Sequence, residues 1–191
     1  MADCTGHGVP GAIVSVVCHN ALNRSVKEFN LNKPSEILNK TRELVIDSFN
    51  HGESDVKDGM DIAFCTLDKK NKTLQFAGAN NPLLIVRDKK IIELKGDRQP
   101  IAKYSNYKNF TNHTIELKSN DSIYLFTDGF QDQFGGPKGK KLKLKGFKEI
   151  LLYNNNKSMR HQKNRIEDAF KIWKDDLEQI DDICIIGYKV E

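Results

Sequence analysis

With 191 residues, 38% of them hydrophobic and 29% charged, the chain has apolar side chains enough for a core and is neither collagen-like, coiled coil nor a disordered tail. Its 30 basic residues exceed its 26 acidic ones by four, too few to mark a nucleic-acid protein unless the charge is clustered. The longest apolar stretches, around Ile13 to Cys18 and Ile183 to Ile186, fall far short of the roughly 18–20 residues of a bilayer span.

The start, Met1-Ala2-Asp3-Cys4, lacks the basic and apolar regions of a secretory signal, so the expected compartment is cytoplasmic, without direct membrane contact. Residues 1–11 read as a loop with no strand before it, punctuated by Gly6, Gly8 and Gly11, while Pro10 suits the first turn of a helix. Apolar residues at Ile13, Val14, Val17, Cys18, Ala21, Leu22 and Val26 recur at helical spacing to near Asn30. A second helix is predicted from Pro34 to Phe49 on Ile37, Leu38, Leu44 and Val45.

From Asp61 the period changes to two, and strands are predicted at 61–67, 73–79, 83–87, 91–95, 112–117 and 121–127. Connections such as Asp68-Lys69-Lys70-Asn71-Lys72 and Asp88-Lys89-Lys90 are too short for crossover helices, which makes the pairing mainly antiparallel and excludes a doubly wound nucleotide fold. Helical spacing returns at 146–153 and 159–178, the latter with Ile166, Ala169, Phe170, Trp173 and Leu177 on one face, and a strand at 182–190 closes the chain. The pattern is α+β, with sheets covered by helices, and no linker or repeat divides residues 1–191. Cys4, Cys18, Cys65 and Cys184 form no CxxC pair, so neither a zinc ribbon nor a disulfide framework is suggested.

Three acidic loop motifs carry the chemistry. In Asp3-Cys4-Thr5-Gly6-His7-Gly8, small residues let the backbone approach a ligand while Asp3 supplies a hard oxygen. Thr127-Asp128-Gly129 follows one apolar strand, and Asp181-Asp182 precedes the last. Carboxylates converging at strand ends repel unless a cation lies among them, which points to Mg²⁺ or Mn²⁺. Singly, each motif is weak and reads first as local structure: Asp-Gly after a strand most often forms a turn, Asp before a strand caps it or marks an edge, and His7 can bond its own loop.

The order and wording of the motifs add more. Asp3-Cys4-Thr5-Gly6-His7-Gly8-Val9-Pro10-Gly11-Ala12, then Asp58-Gly59-Met60-Asp61-Ile62-Ala63, Ala77-Gly78-Ala79-Asn80-Asn81-Pro82, Thr127-Asp128-Gly129 and Asp181-Asp182-Ile183 together resemble the bacterial SpoIIE-like branch of the protein phosphatase 2C superfamily, over nearly the whole chain. The resemblance implies a single domain of two packed, mainly antiparallel sheets flanked by helices, and a metal-dependent serine/threonine phosphatase using two ions, Mn²⁺ or Mg²⁺. Its metal ligands fall on the side chains of Asp3, Asp128 and Asp181 and on the Cys4 backbone carbonyl, with Asp182 as the alternative to its neighbour. Asp3, Asp128 and Asp181 would then be catalytic through a metal-activated water, Asp58 and Asp61 are candidates for an accessory metal, and His7, Lys140 and Lys141 are candidates for substrate binding. The implied partner is a phosphorylated regulatory protein such as an anti-sigma-factor antagonist.

Two departures bear on this expectation. The family's Gly-Asp strand pair does not precede Asp3, so the chain is expected to be the C-terminal part of a larger signalling protein, with strand edges open to homodimerisation. Thr5 stands where the wider superfamily carries a histidine, and His7 lies two residues further on. The alternative is a catalytically incomplete phosphatase-like domain acting as a protein-binding module. A nucleic-acid module resting on Lys138, Lys140, Lys141, Lys143, Lys145 and Lys148 is disfavoured, because only Phe147 interleaves them.

Overall fold

A computed structural model describes residues 1–49 and 58–191, which fall into two compact units. The first comprises Met1–Leu83 and Leu94–Leu117, the second Leu84–Glu93 and Lys118–Glu191. Each has its own sheet, helices and core. Among the described residues, no helix is long and apolar enough to cross a membrane.

In the first unit, β1 (Ala2–Cys4), β2 (Met60–Asp68), β3 (Thr73–Ala79) and β6 (His113–Glu116) form an antiparallel sheet in the order β1-β2-β3-β6. The β2–β3 turn is built by Asp68, whose Oδ1 accepts the N–H groups of Lys70 and Asn71, both at 2.9 Å, before Lys72 turns left-handed. Helices α1 (Gly8–Lys27) and α2 (Pro34–Phe49) belong to this unit. Val14, Cys18 and Ala21 of α1 recur on one face and share a core with Leu38, Leu44 and Val45 of α2 and with Ile62, Ala77 and Ala79 of the sheet. Buried Ser25 and Thr41 lie 3.1 Å apart, one hydroxyl donating to the other, and each also lies within hydrogen-bond distance of the carbonyl four residues back in its own helix.

In the second unit, the sheet order is β10-β7-β4-β5, from β4 (Leu83–Arg87), β5 (Lys90–Leu94), β7 (Ser122–Phe126) and β10 (Ile185–Lys189). Asp88 and Lys89 both have positive φ, the two-residue turn whose twist suits a hairpin. β7 and β10 pair antiparallel, with Phe126 opposite Ile185. Helices α3 (Gly129–Asp132), α4 (Lys143–Asn154) and α5 (Met159–Lys174) complete the unit, with a small hairpin of β8 (Phe134–Gly135) and β9 (Lys140–Lys141). Its core is aromatic: Phe147 stands 4.9 Å from Phe126 and 4.8 Å from Phe130, centroid to centroid. At the head of β7, Asp121 is 1% exposed and takes Nε–H and Nη2–H bonds from Arg87 at 2.9 and 2.6 Å, besides the Lys118 N–H at 2.8 Å.

The α+β expectation and its antiparallel pairing are met, with differences in the elements, among them α4 beginning at Lys143 rather than 146 and α1 ending at Lys27 rather than near Asn30. Ala2–Cys4 is a strand rather than part of a loop, because β2 supplies the partner that three residues cannot advertise themselves. Residues 129–132 form a helical turn straight after the Thr127-Asp128-Gly129 loop motif, and residues 134–141 a small hairpin, in a stretch where the sequence pattern predicts no element. α5 stops at Lys174, where Asp175 turns left-handed, so Leu177 lies outside it. The final strand begins at Ile185 rather than 182, since the preceding residues bond to Thr127 instead.

Candidate metal centre

In the second unit, the end of β7 is stitched to the segment before β10 by one side chain. Thr127 donates its hydroxyl to the Asp182 carbonyl at 3.2 Å and accepts the Cys184 N–H at 3.0 Å, while its own N–H reaches the Cys184 carbonyl at 3.0 Å. Asp128 follows directly as the residue preceding α3, and its carbonyl accepts the Asp132 N–H at 2.9 Å. The result is that carboxylate oxygens of half-buried Asp128 and exposed Asp181 lie within 4.8 Å of each other. Like charges this close are mutually unfavourable, and hard oxygen donors are the set that Mg²⁺ or Mn²⁺ takes, so the pair fits such an ion.

Gly129 makes this approach feasible. A Cβ there would meet the Asp182 carbonyl oxygen at 2.4 Å and the Asp181 Cβ at 3.2 Å. Gly129→Ala should therefore push the two loops apart, weakening manganese binding in calorimetry about tenfold or more while costing about 1–3 kcal/mol of stability. Unchanged affinity would show that the 181–182 segment does not frame a metal. Gln133, fully buried, holds the approach to that segment: its Nε2 donates to the Glu178 carbonyl at 2.9 Å and its Oε1 accepts the Ile180 N–H at 3.3 Å. Nothing in the sequence pattern marks Gln133, since its value lies in backbone groups more than forty residues away.

Of the adjacent acids, it is Asp181 whose carboxylate lies beside that of Asp128; its Oδ1 also accepts the Asp182 N–H at 2.7 Å. Asp182 contributes its carbonyl to Thr127. Lys141 in β9 forms an ion pair with Asp132 at 2.7 Å, and Lys140 is exposed beside it.

In the first unit, Asp3 of β1 sits directly opposite Asp61 of β2. Opposed residues of a ladder share a face, so two carboxylates again lie on one side, and Asn80 holds Asp61 by donating to its Oδ1 at 2.8 Å. Thr5 closes the end of this pair: its hydroxyl accepts the Gly59 N–H at 3.0 Å and donates to Asp58 at 3.2 Å. The loop beyond is set by glycine, with Gly6 and Gly8 at φ of 85° and 63° and the Gly6 carbonyl 2.6 Å from where a Cβ on Gly11 would stand. His7 is exposed and precedes α1, without a side-chain capping bond.

Cys4 packs against the core cluster that includes Cys18. A hydrogen bond from the Cys18 thiol lowers the Cys4 thiol to about 6, against the opposing effects of burial and the Asp3 charge. Cys18 is pushed well up by that same bond and by burial.

The model of the Stage II sporulation protein E (SpoIIE) family matches residues 1–191. Among solved structures, the chain is similar to the SiaA PP2C domain of Pseudomonas aeruginosa, with 27% identity and a TM-score of 0.89 over 100% of this chain and 74% of that one. It also resembles the PP2C phosphatase domain, with a regulatory-domain fragment, of SpoIIE from Bacillus subtilis: 12% identity, TM-score 0.76, 99% of this chain and 53% of that one. The RsbU and RsbW domains of a Mycobacterium tuberculosis protein match at 18% identity and a TM-score of 0.72, over 97% of this chain and 49% of that one. The chain thus spans about half the length of the latter two, and at these identities their likeness concerns the fold alone. No curated protein sequence matches it.

Proposed function

Because the chain belongs to the SpoIIE family and is a phosphatase domain of the protein phosphatase 2C type, we propose that it hydrolyses phosphoserine or phosphothreonine on a regulatory protein, such as an anti-sigma-factor antagonist. Residues 1–191 act in this proposal as one catalytic domain in the cytoplasm that uses two ions, Mn²⁺ or Mg²⁺, with Asp128 and Asp181 as ligands in the second unit and Asp3 and the Cys4 carbonyl as ligands in the first. The observation that carries it is the Asp128–Asp181 approach within 4.8 Å in a chain matched end to end by the family model.

Bound there, the ions supply a water of lowered pKa and neutralise charge on the phosphoryl oxygens. The protein's part is positioning. Thr127 fixes the backbone on both sides of the acidic pair, so Asp128 and Asp181 need little reorganisation to take up a cation. Asp61, held by Asn80, stands opposite Asp3 across the ladder. The left-handed glycines leave the loop backbone bare for a phosphoryl group, and exposed His7 is available to touch the substrate.

The test is phosphate release from a phosphoserine peptide by the purified chain, with manganese and with excess EDTA. Release should depend on the metal, and the apo protein should melt higher with manganese, since a ligand at a hundred times its Kd adds about 2.7 kcal/mol to the folded state. A folded chain that neither releases phosphate nor gains stability would remove the assignment.

A further inference from the structure

We infer that the β8–β9 hairpin and the first turn of α4 form a docking platform for an acidic segment of the protein substrate, an inference that rests on the phosphatase proposal above. Six of the eleven residues 138–148 are lysine. Lys141 is neutralised by Asp132 and Lys148 by Glu93, each at 2.7 Å. Lys138, Lys140, Lys143 and Lys145 are exposed and make no ion pair among the described residues. Lys143 and Lys145 stand in the first turn of α4, where no acidic residue accompanies them, so their charge adds to the positive end of the helix dipole. That placement lowers stability by itself, and an anion bound beside it reverses the penalty.

The lysines are displayed on a fixed frame. Trp173 of α5 donates its indole N–H to the Gln133 carbonyl at 3.0 Å, and its own carbonyl accepts the Gly136 N–H at 2.8 Å. The contact is so close that a Cβ on Gly135 would lie 1.8 Å from the Trp173 carbonyl oxygen. A hairpin seated this way loses little freedom when a partner binds, which favours affinity.

Its position suits a substrate. Lys141 reaches Asp132, and Asp132 bonds back to the Asp128 carbonyl, so one turn of α3 separates the hairpin from a proposed metal ligand. A peptide whose phosphoserine lies at Asp128 needs only a few flanking residues to meet the lysines. The aromatic content argues for an acidic peptide over nucleic acid: Phe147 is fully buried, and Phe134, the one exposed ring in the hairpin, lies under Lys141.

Two labelled phosphoserine peptides of equal length, one flanked by Asp and Glu and the other by Ser and Gly, test the platform by fluorescence anisotropy without metal. The acidic peptide should bind about tenfold more tightly at low salt, and the advantage should shrink severalfold in 0.5 M NaCl, as screening requires. Lys138→Glu/Lys145→Glu should abolish the preference and Lys138→Gln/Lys145→Gln should halve it on a logarithmic scale, with melting curves verifying both folds. Equal binding of the two peptides, or a preference that survives both variants, overturns the inference. So does tighter binding of a DNA duplex than of the acidic peptide. If manganese elicits no phosphate release from either peptide, the phosphatase proposal fails, while the anisotropy comparison still decides whether the lysines bind acidic chains.

Discussion

Asp128→Asn should lower manganese-dependent phosphate release at least a thousandfold and leave the melting temperature of the apo protein unchanged or slightly raised. The amide preserves the volume of the side chain but removes an anionic donor from the proposed centre, and metal-assisted hydrolysis has little left without its ligands. Stability moves the other way because Asp128 and Asp181 approach within 4.8 Å, and neutralising one relieves their repulsion. Steady-state kinetics and a thermal melt on the same preparation separate the two effects. Turnover within tenfold of the parent protein would place Asp128 outside the chemistry, whatever the melt showed.

Arg87→Met should cost about 3–5 kcal/mol, the usual consequence of leaving one partner of a buried ion pair behind. Methionine retains the apolar stem, but Asp121, 1% exposed, is left with the Lys118 N–H in place of the two-pronged guanidinium. At roughly 2–4 °C per kcal/mol for a chain of this size, the melting temperature should fall by about 10 °C. Arg87→Met/Asp121→Leu should recover much of the loss, since it removes the stranded charge. A single variant within 1 kcal/mol of the parent would mean that the pair contributes little. Asp121 lies at the head of β7, whose other end carries Thr127 and Asp128, so the same substitution should loosen manganese binding as well.

The parts of the fold that were legible from sequence are those with a local signature. α2 was readable to the residue because Pro34 suits a first helical position and the apolar spacing runs unbroken to Phe49. β3 and β4 were equally plain, as alternating or continuous apolar runs between turn residues. β1 was not, because three residues show no period and their conformation comes from pairing with β2. The β8–β9 hairpin was hidden for a similar reason: its glycines and lysines resemble a solvated loop, and its order is conferred by Trp173 on another helix.

At the site, acids at strand ends drew attention to Asp128 and Asp181, and the resemblance raised their weight. The sequence was silent on which of Asp181 and Asp182 turns its carboxylate to Asp128, since adjacent identical residues differ only in backbone direction. That direction follows from Thr127 capturing the Asp182 carbonyl, a bond across 55 residues.

The stitch by Thr127 also has a consequence for the order in which the molecule assembles. The bond from the Cys184 N–H to Thr127 closes a loop of 57 residues, and α3, the β8–β9 hairpin, α4 and α5 all lie inside it. Those elements pack on one another and on β4 and β7, both of which precede the closure, whereas the β7–β10 ladder must first overcome the entropy of the long closure. Pairing of the last strand is therefore a late step, and the electrostatic penalty of bringing Asp181 to Asp128 is incurred only then. A chain caught before that step has its helices but no paired carboxylates, which makes metal uptake a marker of the end of folding rather than its beginning.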